Sequence, residues 1–488
     1  MVNGCVFRRL QTGVFGLALL FAGCAGAGSP ALPNAQNAQL AQRASTNASV
    51  ATSALASTGV PYHIPTMAFD EYTGEGTNAS SATVGAYVSY AEGGEGNAKA
   101  TVDCDSSATK SCLSVFYMDP NFLYASVSCV STEAASVAAS QAESWFVHES
   151  GYSDFAHRVQ GSYTQNCGGT TEKTPVYLLD DANPAVISFF QSFLQSAANG
   201  WDVYFMDDTS SRVLTQAYGP GGGFCANNPP DSYCTTTQEY PTDASVAAAH
   251  VAFANSMVHT NGSPMQFIFN GVGFSGTTVE NLNLLTGSSN FIGAVCEECI
   301  VNAGVLQPQL YAKVLDAMAQ IDAIPGASFV ELSTGYSPAG SAAQIHQRVA
   351  ATAVAWLGYS AGHTIVFPNL EDNTTNLAVW PEDAIVPTEP VESMTSQASD
   401  IAVEPGVYVR EFAECYDAGV AIGQCAAVVN STASAVTVEA SWLKQTYKHL
   451  LALTGGDIPS GGTMSLTSDY FVPGVTQIQP SWATLLLK

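Results

Sequence analysis

The chain reads as an α/β protein, a (β/α)8 barrel followed by a small antiparallel β-sandwich. Two patterns point there. From about residue 60, short continuous apolar runs rich in Val, Ile, Phe and Tyr alternate with helix-period segments. Near residue 400 the pattern changes to strand-like pieces separated by turn residues. The domain plan is therefore a leader over 1–24, a flexible linker over 25–58, a barrel over 59–400 and a sandwich over 401–488. With 488 residues and 47% apolar content, the chain has enough material for roughly two domains with a sizeable core.

The eight candidate strands are 64–69, 85–90, 113–117, 203–207, 265–270, 291–296, 328–332 and 364–367. Being continuous rather than alternating, they suit strands buried on both faces. Helices are clearest in the second half. Leu310, Val314, Met318 and Ile321 share one face, as do Ile345, Val349, Ala353 and Trp356 behind a Ser341 cap. Asn183-Pro184 is a helix start. The stretch 118–202 is a long insertion between the third and fourth strands. In the tail, 406–411 and 426–429 are strand-like, with turns at Asn430 and Gly455.

The formal net charge of −27 argues against nucleic acid, which demands a basic footprint. Arg8 and Arg9 precede an apolar run that is too short to span a bilayer and ends in Phe21-Ala22-Gly23-Cys24. That ending resembles a bacterial lipobox, with Cys24 the lipidated residue. The expected location is the cell envelope, periplasmic or cell-surface, with the membrane met through the lipid anchor alone; secretion is the alternative. Twelve cysteines, less Cys5 and Cys24 of the leader, leave an even ten for an oxidising compartment. Spacing suggests Cys104 with Cys112, Cys129 with Cys167, Cys225 with Cys234 and Cys415 with Cys425. Cys296-Glu-Glu-Cys299 reads as a structural disulfide. It lacks the second ligand pair that zinc would need, and it ends a strand-like run instead of opening a helix.

In a barrel, chemistry sits at the C-terminal ends of strands. The fourth run ends in Asp207-Asp208 and the sixth in Glu297-Glu298. Two carboxyl groups flanking one bond are what glycoside hydrolysis requires, and neighbouring acids drive each other's pKa values apart. Other polar residues near strand ends are candidate sugar contacts: Asp70, Asp119, Asn270, Glu331 and Glu371, with Asp180 before the fourth strand. Trp145 is a candidate stacking platform, whereas Trp201, ahead of a buried strand, reads as core. His250 and His259 fall on opposite faces of one presumed helix, so no metal site is expected. No cofactor motif, phosphate loop or Gly-x-Ser-x-Gly elbow occurs.

The segment GWDVYFMDDTS, residues 200–210, resembles the fourth-strand signature of TIM-barrel glycosyl hydrolase families. The segments 145–148 and 176–184 upstream, and 407–412 and 427–431 downstream, are similar to parts of the same families in the same order. The resemblance spans about residues 60–488. It extends more loosely to retaining α-glycosidases and dextranase-like enzymes. It implies a carbohydrate substrate, Asp207 as nucleophile and Glu297 as general acid/base, with Asp208 and Glu298 as alternates. A non-catalytic carbohydrate-binding lipoprotein is the competing expectation, and a redox protein using Cys296 and Cys299 a third.

Overall fold

The computed structural model describes residues 67–69, 90–93, 113–124, 142–167, 170–196, 200–209, 237–275, 278–302, 304–333, 342–360, 364–367, 385–395, 397–417, 420–447, 449–451, 471–473, 477–478 and 483–487. Leader, linker, Cys24, Asp70, Ser341, Glu371 and the pairs Cys104–Cys112 and Cys225–Cys234 lie outside these residues, as does Cys129 of the fourth expected pair.

The protein is a mixed α/β molecule whose described residues include an eight-stranded parallel sheet, a seven-stranded antiparallel sheet and smaller antiparallel sheets. Eight strands form the parallel sheet in sequence order: β1 Met67–Phe69, β2 Tyr90–Gly93, β3 Leu113–Met118, β4 Val203–Met206, β5 Phe267–Asn270, β6 Phe291–Glu297, β7 Ser328–Leu332 and β8 Thr364–Phe367. Every neighbouring pair is parallel. Residues of β1 and β8 approach within 8 Å between Cα atoms. All four residues of β4 and of β5 are buried, as continuous apolar runs demand.

Among the described residues, the helices between strands are α1 Pro184–Ser196, α2 Asp243–Ser256, α3 Leu282–Gly287, α4 Tyr311–Asp322 and α5 Ala342–Gly358. Asn183 starts α1 as expected, its side chain accepting from Ala185 N at 2.9 Å. Thr242 and Ser245 form a capping box on α2. Val314, Met318 and Ile321 of α4, and Val349, Ala353 and Trp356 of α5, are buried on the predicted faces. His259 lies beyond the end of α2 at Ser256, so it does not share that helix with His250. Instead His250 Nδ1 and Asp181 Oδ2 are 2.7 Å apart in the interior.

The insertion after β3 is a three-stranded antiparallel sheet of Phe122–Tyr124, Gln160–Cys167 and Thr170–Leu178. Buried Arg158 anchors it. Its guanidinium donates to both carboxylate oxygens of Glu143 and lies 3.5 Å over the Phe146 ring. Pairing the charge through a bidentate contact is what makes its burial tolerable.

The antiparallel sheet comprises β9 Ile385–Pro387, β10 Ala402–Glu404, β11 Val407–Asp417, β12 Val420–Asn430, β13 His449–Leu451, β14 Phe471–Pro473 and β15 Ala483–Leu487. It draws in β9, upstream of residue 400. Its residues Phe412 and Leu485 join the main core beside Trp356 of α5. Arg410 Nη1 donates to the carbonyls of Leu357 and Tyr359, at 2.6 and 3.1 Å, closing the end of α5. Cys415 and Cys425 form a disulfide across β11 and β12. Among the described residues, no helix is long and apolar enough to cross a membrane.

Candidate functional site

Register decides which strand-end residues share a face. Met118 pairs with Met206, Met206 with Phe269, and Asn270 with Val295. Because side chains alternate along a strand, Asp119, Asp207, Asn270 and Glu297 follow onto one face at one end of the sheet. Cys296 and Glu331 are register partners on the other face.

The backbone then draws these ends together. Asp207 N donates to Met118 O at 2.9 Å, and Thr209 N to Asn270 O at 2.8 Å. A Cβ on Gly271 would lie 2.0 Å from the carbonyl oxygen of Thr209, so only glycine permits this approach of the loops after β4 and β5. Asn121 holds the same turn from the insertion side. Its Nδ2 donates to the carbonyls of Asp207 and Asp208 and to Thr209 Oγ1, at 3.0 to 3.1 Å.

Asn270 is the hub of the side-chain geometry. Its Nδ2 donates to Asp207 Oδ1 at 2.9 Å and to Glu297 Oε2 at 2.5 Å. Asp207 Oδ1 also accepts from Asp208 N at 2.8 Å. Burial, then the charge of Asp207 and that of Glu298, push the Glu297 carboxyl up to about 8 against the lowering effect of Asn270. At neutral pH Glu297 is therefore predominantly protonated. Two carboxyl groups bridged by one amide, with Glu297 held protonated, can supply an acid and a nucleophile or base within reach of one bond.

The second acid of each pair has a different environment. Asp208 and Glu298 both adopt left-handed backbone, at φ 49° and 57°. Asp208 is buried, and burial together with the charges of Asp207, Asp119 and Glu297 raises its pKa well above the ordinary range. Glu298 is partly exposed, and its N–H donates to Leu332 O at 2.7 Å. Cys296 and Cys299 are joined as a disulfide around Glu297 and Glu298.

Several candidate contacts stand elsewhere. Glu331 is fully buried on the opposite face of β7, where Ser333 Oγ donates to it. It therefore does not line the acid pair. Trp145 is only 8% exposed and packs 5.4 Å from Phe189 between ring centroids; a buried indole offers no stacking platform. Trp201 is core, edge-on to Phe116. Asp180 is engaged by the Tyr240 hydroxyl, which donates to its Oδ1 at 2.7 Å. Asp119 stays with the acid pair, close enough for its charge to be felt by Asp208. Among the described residues, no cluster of His, Cys, Asp and Glu could hold a metal ion. Asn121 and Gly271 were not singled out from sequence. An Asn just after a strand-ending Asp-Pro was the available signal for the first.

No family model and no curated protein matches the chain. It is similar to solved structures that include a xylosidase from Aspergillus niger, at 10% identity and TM-score 0.41, covering 91% of this chain and 67% of that one. Another is the GH36 alpha-galactosidase AgaA from Geobacillus stearothermophilus, at 9% identity and TM-score 0.35, covering 87% of this chain. This chain spans 55% of that enzyme's length. A pyruvate kinase from Cryptosporidium parvum is similar at 9% identity and TM-score 0.35, covering 69% of this chain and 70% of that one. At TM-scores of this size the likenesses carry neither fold nor chemistry across.

Proposed function

We propose that the protein is a glycoside hydrolase of the retaining type, with Asp207 the nucleophile and Glu297 the general acid/base. The observation that carries this reading is the amide of Asn270 between the two acids. Its bonds of 2.9 and 2.5 Å leave the two acceptor oxygens at most 5.4 Å apart. Retaining pairs stand about 5–5.5 Å apart, whereas inverting pairs need roughly 6.5–9.5 Å to admit a water.

In this mechanism Glu297, kept protonated by burial, donates its proton to the leaving glycosidic oxygen. Asp207 attacks the anomeric carbon from the other side and forms a glycosyl ester. Glu297, now ionised, takes a proton from the water that opens that ester and is protonated again. Asn270 orients both oxygens. Asp207 is partly exposed whereas Asp208 is buried, which supports Asp207 over it.

The sequential order of eight parallel strands and the approach of β1 to β8 support closure into a (β/α)8 barrel. The antiparallel sheet is read as a small sandwich that braces α5. Delivery to the cell envelope through a leader ending at Cys24 belongs to the same reading.

The test is hydrolysis of a panel of polysaccharides and aryl glycosides by wild type, Asp207→Asn and Glu297→Gln. Both variants, folded by circular dichroism, are expected to lose activity by at least about 10³-fold. Wild-type cleavage that persists in either variant overturns the assignment.

A further inference from the structure

We propose that the Cys296–Cys299 disulfide is a positioning element for Glu297, closing a four-residue ring that holds this side chain against Asn270. The inference rests on the reading of Glu297 as the acid of the site and adds to it a device that sets its place.

The ring is Cys296-Glu297-Glu298-Cys299. Cys296 belongs to β6 and is fully buried on the face away from the site, in register with Glu331. The covalent link is therefore rooted behind the sheet, while the next residue, Glu297, faces the site. Glu298 then takes a left-handed backbone at φ 57°, a region where a glutamate has no preference of its own. Such a conformation persists only where its surroundings over-determine it. The Cys296–Cys299 bond closes the turn, and two further constraints act with it. Glu298 N donates to Leu332 O, extending the β6–β7 pairing by one residue. Ile300 and Val301, just beyond the ring, are fully buried in the main core.

Opening the ring leaves a left-handed glutamate at a strand end with no covalent tie across it. The turn then relaxes toward ordinary backbone, and the Glu297 side chain leaves its position against Asn270. Catalysis is sensitive to such shifts, a misplacement of about 1 Å costing on the order of 10²-fold. The groups that face Glu297 are Asn270 and Asp207 from the neighbouring strand ends, Glu298 beside it, and Asp208 near enough to feel its charge. Displacement changes its exposure to all of them, so its titration reports its position even without a substrate.

The experiment compares wild type with a Cys296→Ala, Cys299→Ala double variant, using NMR of protein labelled at the glutamate carboxyl carbon. Glu297→Gln identifies the signal. Wild type is expected to titrate near about 8. In the double variant the titration should fall by at least about one pH unit toward the ordinary glutamate value. On a cleavable substrate kcat should drop roughly 10- to 100-fold, with KM changed less. A Cys415→Ala, Cys425→Ala variant is the control, expected to lose stability while keeping both the titration and kcat. Should the double variant fail to fold, a dithiol reductant is applied to the folded control variant, at the lowest concentration at which peptide mapping finds Cys296 and Cys299 reduced and the other cysteines unchanged. Thiol alkylation then verifies the opening. An unmoved titration with unmoved kcat overturns the proposal. Full activity of Glu297→Gln would instead sink the catalytic reading, and the NMR comparison would still decide the positioning role.

Discussion

Glu331→Gln separates a buried structural acid from the acids of the site. Glu331 is fully buried in β7, and among the described residues its Oε2 has no hydrogen-bond partner. Burial pushes its carboxyl from 4.5 up to about 8. Below the lower value the folded and unfolded chains both hold the proton, and the group adds no pH dependence. Between the two values the unfolded chain releases the proton and the folded chain keeps it, so stability falls as pH rises. At about 1.36 kcal/mol per pH unit, the upper limit of that loss is roughly 5 kcal/mol. Glutamine cannot ionise and removes the slope. It also places an unpaired N–H group where Oε2 was, costing about 1–3 kcal/mol at any pH. The variant is thus expected to be less stable than wild type at pH 4 and more stable at pH 8. Urea unfolding followed by circular dichroism across that range measures both curves. Parallel curves would refute the reasoning. A raised KM with unchanged stability would return Glu331 to the substrate.

Two further outcomes follow from the site. Because Glu297 must carry its proton to act as acid, activity is expected to decline as pH rises through about 8. A kcat/KM profile between pH 4 and 10 measures this, and a profile flat above pH 7 would contradict it. Gly271→Ala drives a methyl against the Thr209 carbonyl and should separate the β4 and β5 loops. The expected cost is about 1–3 kcal/mol of stability, with a larger proportional loss of kcat than of binding. Thermal unfolding combined with kinetics reads both, and a neutral variant would show that the approach is not required.

What could be read from sequence follows physical range. The strands at 203–207 and 291–296 were legible because burial on both faces makes each a local run of apolar residues. The caps on α1 and the apolar faces of α4 and α5 were legible for the same reason. The acid pairs stood out because charge abruptly ends such a run. Asn121 was not legible, since its role is to satisfy carbonyls 86 and 87 residues away. Glu331 was read as a contact because a strand-end acid looks alike on either face. Only pairing with Cys296 reveals its side. Trp145 closes a satellite core with Phe189 and Tyr177, a role that sequence does not distinguish from stacking on a sugar. The difference between Asp207 and its alternate Asp208 lies in backbone geometry, in which the second acid turns left-handed and is buried.

The central claim is that Asp207 and Glu297 act across one glycosidic bond with double displacement. The most direct measurement is the anomeric configuration of the first-formed product, followed by proton NMR on a substrate that the panel shows to be cleaved. The short spacing bridged by Asn270 predicts net retention. Net inversion would contradict it, because an inverting pair must leave room for a water that this spacing does not provide.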